Sequence, residues 1–321
     1  MKLIVQVPCY NEEETLPLVI NSIPKKIEGV DVIETLIIDD GSKDRTIEVA
    51  KELGVDHVVA HKQNKGLAIS FADGIHACLT LGADVIVNTD GDNQYPQKDI
   101  GKLIKPILDG SHDIVIGDRQ VHKIMHFSGV KKFLQKLGST VVKMASGVNV
   151  EDAPSGFRAY SKDAAMQINI VTDFSYVIET IVQAGKKRIP VTNVLIDTNP
   201  KTRESRLFNS ILQHVRKHTI AIFRSYAMHE PFKIFFIAGM VIFIIGVIPY
   251  ARMGYLMVSR EELIGGHLQS LILGAVFIIL GFMVVFMGVM ADLLAINRKL
   301  IEDNLRRLKE LVYRGPTKKY E

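Results

Sequence analysis

At 321 residues the chain has room for one large α/β domain and an appendage, with enough length to bury a full core. Its hydrophobic content of 47% is high for a soluble protein and is concentrated after Pro231, while a net charge of only +4 argues against nucleic acid as a partner. Cys9 and Cys78 have neither metal-ligand nor redox spacing, and "MKLIVQVPCYN" has too short an apolar stretch for a signal peptide, so both thiols are expected to be reduced core residues.

Residues 1–120 alternate short apolar runs with amphipathic helices, the pattern of a mostly parallel sheet covered on both faces. Leu3 to Val7 reads as a strand. Asn11 is placed to cap a helix, with Glu14 completing a capping box and Leu16, Val19, Ile20 and Ile23 on one face. Leu36 to Ile38 end a second strand at "DDGSKDRT", and a helix carrying Ile47, Ala50 and Leu53 follows and stops at Gly54. His57 to Ala60 form a third strand, and Leu67, Phe71, Ile75, Cys78 and Leu79 line a helix ending near Gly82. Val85 to Val87 form a buried strand that runs into "NTDGDNQYP", then comes a helix with Ile100, Leu103, Ile104 and Ile107, and a strand from Asp113 to Gly117. The pattern loosens over 119–149 and resumes at "DAPSGFRAYS". A helix is expected over Phe174 to Ala184 and a last strand over Ile189 to Ile196.

Beyond this lie two uncharged runs, Ile234–Ala251 and Leu268–Met290, of 18 and 23 residues. About 20 helical residues cross a bilayer core, and these runs are apolar around the whole helix, so both are expected to span. Basic residues crowd the approaches (Lys201, Arg203, Arg206, Arg216, Lys217, Arg224, Lys233, and Arg298 onward), while the connecting loop holds only Arg252 and Arg260. The positive-inside rule then puts both termini and the folded domain in the cytoplasm of a two-span membrane protein. Leu207–Met228 alternates apolar and basic residues at helical spacing, suited either to an interfacial helix or to packing on the domain. The expected organisation is a catalytic domain over 1–206, a juxtamembrane helix over 207–230, a helical hairpin over 231–291 and a basic tail over 292–321.

Three polar clusters fall at the carboxyl ends of strands, where open α/β sheets bind ligands: "PCYNEE", "DDGS" and "DGDNQ". Asp90 and Asp92, flanking Gly91, suit an oxygen-loving divalent cation such as Mg2+ or Mn2+, which would neutralise a leaving diphosphate. Neither G-x-x-x-x-G-K-[ST] nor G-x-G-x-x-G occurs, which argues against a P-loop NTPase or a nicotinamide dehydrogenase.

Together, "VPCYNEEETLP", "IIDDGSKDRT", "NKGLA", "NTDGDNQYP" and "DAPSGFRAYS" resemble the family-two glycosyltransferases of the GT-A fold, most of all the polyprenyl-phosphate branch that includes dolichol-phosphate mannose synthases. The resemblance covers residues 1–206 and implies the following roles. Pro8, Tyr10, Asn11 and Glu12 line the nucleotide pocket, and Asp39 and Asp40 meet base and ribose. Asp90, Asp92 and Gln94 hold the metal and the donor diphosphate; Arg119, Ser155 and Arg158 face the acceptor phosphate; Arg203 and Arg206 stand where relatives carry a basic pair. Arg158 is alternatively a fold-stabilising ion pair, Glu12 a helix N-terminal carboxylate, and Asp152 either a turn residue or the best candidate for a general base. The implied reaction moves a sugar, with inversion, from a nucleotide sugar (UDP-glucose or UDP-N-acetylglucosamine favoured over GDP-mannose) to polyprenyl or dolichyl phosphate in a lipid bilayer. A homo-oligomer is compatible with the sequence. A processive polysaccharide synthase is disfavoured because the chain has no Trp for a Q-x-x-R-W motif. A sugar-1-phosphate nucleotidyltransferase is disfavoured by the apolar spans. A non-enzymatic nucleotide-sugar sensor or scaffold stays open.

Overall fold

Residues 1–120, 138–140, 142–144, 146–171, 176–200, 231–259 and 268–314 are described by the structure, a computed structural model. Chain contacts divide it into two units, Met1–Phe223 with Leu305–Glu321, and Arg224–Asn304.

In the first unit the apolar runs become seven strands of one sheet: β1 (Lys2–Cys9), β2 (Val32–Asp39), β3 (His57–Ala60), β4 (Val85–Asn88), β5 (Ile114–Asp118), β6 (Arg158–Ser161) and β7 (Val191–Leu195). Their order is β3-β2-β1-β4-β6-β5-β7. All neighbours are parallel except β6, which runs antiparallel to both β4 and β5. Six of these strands are expected from apolar runs. The seventh, β6, is not, because "RAYS" is four residues long and opens on an arginine.

Side chains of a strand alternate between faces, so β1 feeds two cores. Leu3, Val5 and Val7 pack on one side with α1 (Leu16–Ser22) and α4 (Ile100–Leu108). Ile4 lies on the other with Phe71, Ile75 and Cys78 of α3 (Leu67–Thr80) and Ile181 of α6 (Tyr176–Lys187). Phe71 stacks on Tyr176 at 4.0 Å between ring centroids. Two short helices complete this unit's first pass, α2 (Thr46–Glu52) and α5 (Lys162–Gln167), the latter capped by the Ser161 hydroxyl, which accepts from the Ala164 amide.

The expected capping box at Asn11 does not form. Asn11 adopts φ 55° and turns the chain towards the next strand end, where its amide donates to Ser42 Oγ and its Oδ1 accepts from the Lys43 amide. Helix α1 starts only at Leu16, with Pro17 in its first turn, where proline's missing N–H costs nothing.

In the second unit, α7 (Pro231–Val258) and the first part of α8 (Leu268–Arg314) form an antiparallel pair. Both helices are long and apolar enough to cross a membrane. A Cβ on Gly239 would come within 2.7 Å of the Gly281 carbonyl, and one on Gly246 within 2.7 Å of the Gly274 carbonyl. Small residues seven apart on each helix thus let the backbones touch, the mode of association expected where lipid removes the hydrophobic drive.

Residue 291 is not a structural boundary, since α8 continues unbroken to Arg314. Its last turns belong to the first unit: Lys309 Nζ donates to Asn169 Oδ1 at 2.8 Å and to the Ile168 carbonyl at 3.3 Å, and Tyr313 meets His76 edge-on. The expected juxtamembrane helix over 207–230 lies outside the described residues.

Candidate active site

Strands β1, β2 and β4 are adjacent and parallel, with Cys9 opposite Asp39 and Gln6 opposite Asn88. Their carboxyl ends therefore bring "PCYNEE", "DDGS" and "DGDNQ" together at one edge of the sheet. Because β6 runs the other way, it is its beginning that reaches this edge. Arg158 pairs with Asn88, so Ser155, Gly156 and Phe157 lie beside Asp90.

Asp90 keeps an accessible edge, but the surrounding protein desolvates its carboxyl. That burial, with the neighbouring Asp92 charge and a smaller contribution from Glu12, pushes it up to about 7 against the pull of Arg119. Gly156 is glycine for a visible reason: a Cβ there would lie 3.0 Å from both Asp90 oxygens and from the Tyr176 hydroxyl. Asn88 Nδ2 holds the Gly156 carbonyl at 2.8 Å, and the Gly156 amide donates to Tyr95 Oη at 2.9 Å. On its other side Gly91 rests on Cys9 Sγ and Glu12 Cγ, 3.1 and 3.2 Å from where a Cβ would be. Asp92 is fixed by Gln94, whose amide nitrogen donates to Oδ1 at 3.1 Å and whose Nε2 donates to Oδ2 at 2.8 Å.

Around this pair stand the remaining residues singled out from the sequence. Pro8 is buried at the end of β1 and Tyr10 is half-buried beyond it. Glu12 is buried, its amide donating to Thr46 Oγ1 and its Oε2 accepting from Thr15 Oγ1. Asp39 is 1% exposed; Oδ2 accepts from the Ser42 amide, whereas Oδ1 has no hydrogen-bond partner among the described residues. Such an atom is costly unless something outside the chain donates to it. Arg203 and Arg206 lie outside the described residues. The chain leading to them starts from this edge, since the Asn199 amide donates to the Gln94 carbonyl and its Nδ2 to the Asn93 carbonyl.

Three expectations from the sequence are revised by the hydrogen bonds. Asp40 points inward, where Oδ1 accepts from the Lys65 amide and faces His61 Nδ1, and Oδ2 accepts from the Gly66 amide, so most of its acceptor capacity is spent on loop 61–66 rather than turned to a ribose. Asp152 is 1% exposed and bound by Arg119 through Nε at 2.7 Å and Nη2 at 2.8 Å. A carboxylate gripped by both oxygens is not positioned as a general base. Burial alone would favour neutral Arg119, but the Asp152 charge outweighs it and holds the guanidinium protonated beyond its ordinary range. Arg158 is fully buried and does not face an acceptor phosphate: it donates to the carbonyls of Ser155, Val177 and Ala153 and to Thr180 Oγ1. Its alternative as an ion pair is also unmet, because those partners are neutral. Ser155, also fully buried, keeps an unpartnered Oγ among the described residues.

Tyr95 is the residue of this site that sequence reasoning passed over, although it sits inside the quoted "NTDGDNQYP". It is 2% exposed, stacks on Phe157 at 5.2 Å, carries Arg119 over its ring at 5.9 Å and accepts from Gly156. Burial pushes its phenol up to about 12, so it stays a neutral hydroxyl. It links the Asp90 side of the site to the Arg119 side. Asn88 likewise joins β4 to Gly156, and its signal was a lone polar residue ending an otherwise apolar strand.

No group of three or more His, Cys, Asp or Glu able to hold a metal occurs among the described residues. Among the described residues a cation here would rest on Asp90 and Asp92, with Gln94 beside them, and take further ligands from water and phosphate, as Mg2+-type ions do.

Residues 4–168 match the model of glycosyl transferase family 2. Among curated relatives, the UDP-N-acetylglucosamine–dolichyl-phosphate N-acetylglucosaminyltransferase of Methanococcus voltae is 29% identical over 60% of this chain and 83% of its own length. The polyprenol monophosphomannose synthase of Mycolicibacterium smegmatis is 28% identical over 53% of this chain and 65% of its own. Among solved structures, glucosyl-3-phosphoglycerate synthase of Mycobacterium tuberculosis, in complex with Mn2+, UDP and glucosyl-3-phosphoglycerate, superposes with a TM-score of 0.55 over 70% of this chain and 78% of that one, at 20% identity. The fold is thus the GT-A arrangement that the motifs imply.

Proposed function

The chain belongs to glycosyl transferase family 2, and from that premise we propose that it moves a sugar from a nucleoside-diphosphate donor to the phosphate of a polyprenol or dolichol. The observation that carries this reading is the crowding of Asp90 and Asp92 at the end of β4, which raises the Asp90 carboxyl to about 7 and calls for a cation. Mg2+ or Mn2+ bound there would offset the charge that develops on the departing diphosphate. The solved glucosyl-3-phosphoglycerate synthase, which contains Mn2+ and UDP, supports that fit.

The chain's own residues divide the work. Gln94 locks the Asp92 carboxylate in one orientation. Asp39 Oδ1, which has no hydrogen-bond partner among the described residues, would accept from an N–H of the base. Tyr10, Asn11 and Glu12 close the nucleotide side. On the acceptor side, Asp152 occupies the Nε and Nη2 of Arg119 and leaves the Nη1 edge for phosphate oxygens. Ser155 Oγ, unpartnered among the described residues, is a second candidate contact. A phosphate monoester has a second pKa near about 6 and attacks as a dianion. No general base is needed, which agrees with the engagement of Asp152. Attack opposite the leaving diphosphate inverts the anomeric carbon.

Helices α7 and α8 would hold the enzyme at the bilayer that contains its acceptor, with both termini cytoplasmic by charge distribution. The donor favoured is UDP-glucose or UDP-N-acetylglucosamine, in keeping with the Methanococcus voltae relative, and the mycobacterial relative makes GDP-mannose the competitor to test. The experiment incubates the purified full chain with dolichyl or undecaprenyl phosphate, Mn2+ or Mg2+, and radiolabelled UDP-glucose, UDP-N-acetylglucosamine or GDP-mannose. A metal-dependent, organic-extractable labelled lipid that Asp92→Asn abolishes is the expected result. Absence of such a product with every donor sinks the reading.

A further inference from the structure

The inward turn of Asp40 leaves a cluster of ionisable groups that the proposed reaction does not use. His61, which follows β3, has a side chain 4% exposed, with Nδ1 2.9 Å from Asp40 Oδ1 and Nε2 2.9 Å from Asp73 Oδ2 on α3. Each ring nitrogen thus faces one carboxylate, and the imidazole bridges Asp40 to Asp73. Among the described residues, the charged groups facing the ring are Asp40, just past β2, Asp73 from α3 and, 3.8 Å from the same Asp73 oxygen, Lys65 of the loop. The His61 amide is bound as well, donating to the Asp39 carbonyl at 2.9 Å.

The loop that this cluster fastens lies flush against the nucleotide-side turn. Gly41 has φ +71°, and a Cβ there would come 2.6 Å from the Gln63 carbonyl carbon. Asp40 draws in the other end of the loop through the Lys65 and Gly66 amides. The Asp39–Gly41 turn, loop 61–66 and the second turn of α3 are therefore tied to one another, and Asp39 Oδ1, without a hydrogen-bond partner among the described residues, belongs to the same turn.

We propose that His61 is a positioning residue for nucleotide binding: bridging Asp40 and Asp73, it holds the 61–66 loop against the Asp39–Gly41 turn and so sets how well the pocket receives a nucleoside diphosphate. It touches neither sugar nor phosphate, and its loss weakens donor binding while leaving the chemical step intact. This inference rests on the donor-site reading above.

The test is direct titration of the detergent-purified full chain with UDP and with GDP in the presence of Mn2+, alongside transfer kinetics. His61→Ala is expected to weaken the nucleotide that wild type binds by about tenfold and to raise donor KM equally, with kcat and acceptor KM within about twofold. Asp73→Ala, at a half-exposed position that the fold tolerates, removes the outer link alone and is expected to weaken binding about threefold. His61→Arg, which presents donors on two edges to the same carboxylates, is expected to recover most of the affinity. Unchanged nucleotide binding in both His61→Ala and Asp73→Ala overturns the inference and leaves the donor-site reading standing. So does a fall in kcat at constant donor KM. If wild type binds neither nucleotide, it is the donor-site reading that fails.

Discussion

The two sides of the site settle their charges in opposite ways. On the β2–β4 side, Asp90 is driven up to about 7 by burial and by Asp92 against the pull of Arg119, and Asp39 Oδ1 has no hydrogen-bond partner among the described residues. On the β5–β6 side the charges are consumed internally. Asp152 is gripped by Arg119, and Arg158 spends its donors on backbone carbonyls and Thr180. A polar group satisfied within the protein supports the fold, whereas one left open, such as Asp39 Oδ1 or Ser155 Oγ among the described residues, is held ready for a ligand at a cost in stability. Electrostatic incompleteness, more than the presence of charged residues, separates binding groups from scaffold here.

The strongest test of that contrast is to remove one charge from each side. Asp92→Asn is expected to lower sugar transfer by about 10²–10³-fold, the range seen when one preorganised electrostatic group is lost, with thermal unfolding unchanged or slightly improved. Arg158→Met should do the reverse in kind: it removes the charged donor from the Ser155, Val177 and Ala153 carbonyls and destabilises the α/β unit by about 3 kcal/mol, read as a lowered unfolding temperature of the detergent-solubilised chain. Transfer by the Arg158→Met protein that remains folded should stay near wild type. A clean loss of kcat without loss of stability would return Arg158 to the reacting groups.

Protonation of Asp90 sharpens the comparison further. Its folded value lies above the ordinary carboxyl value, so its contribution to stability is present in acid and is lost as pH rises through about 7. In EDTA the chain should thus unfold at a lower temperature at pH 8 than at pH 5, so far as this group decides, and Mn2+ should reverse the difference. Metal binding needs the carboxylate, so Mn2+ affinity should fall by up to about tenfold per unit below pH 7, as measured by titration. The smallest effect is expected at the link between the sides. Tyr95→Phe retains the stacking on Phe157 and the ring under Arg119 but loses the acceptor for the Gly156 amide, a change of about 1 kcal/mol. It should appear as a few-fold rise in acceptor KM with donor KM unchanged.

Most of the sheet was legible in the sequence because buried parallel strands are written as continuous apolar runs, and Leu3–Val7 and Val85–Val87 are such runs. Strand β6 was not, because its place between β4 and β5 comes from pairing with both neighbours and from the Arg158 contacts, none of which is local in sequence. The start of α1 was misplaced for a similar reason: Asn11 has the chemistry of a cap, but Ser42 and Lys43 from the next strand end compete for it and win. The three strand-end clusters were visible, and so was their convergence. What could not be read was which carboxylate oxygens remain open, since Asp39 and Asp40 are neighbours of identical chemistry and differ only in what distant loops donate to them.

The reversed strand has a consequence for how such a protein can diversify. Because Asn88 pairs with Arg158, the sheet itself fixes where Gly156 falls against Asp90, whatever path the chain takes between Asp118 and Glu151. Substitutions outside β4 and β6 can therefore change what surrounds the pair without shifting Gly156 against Asp90.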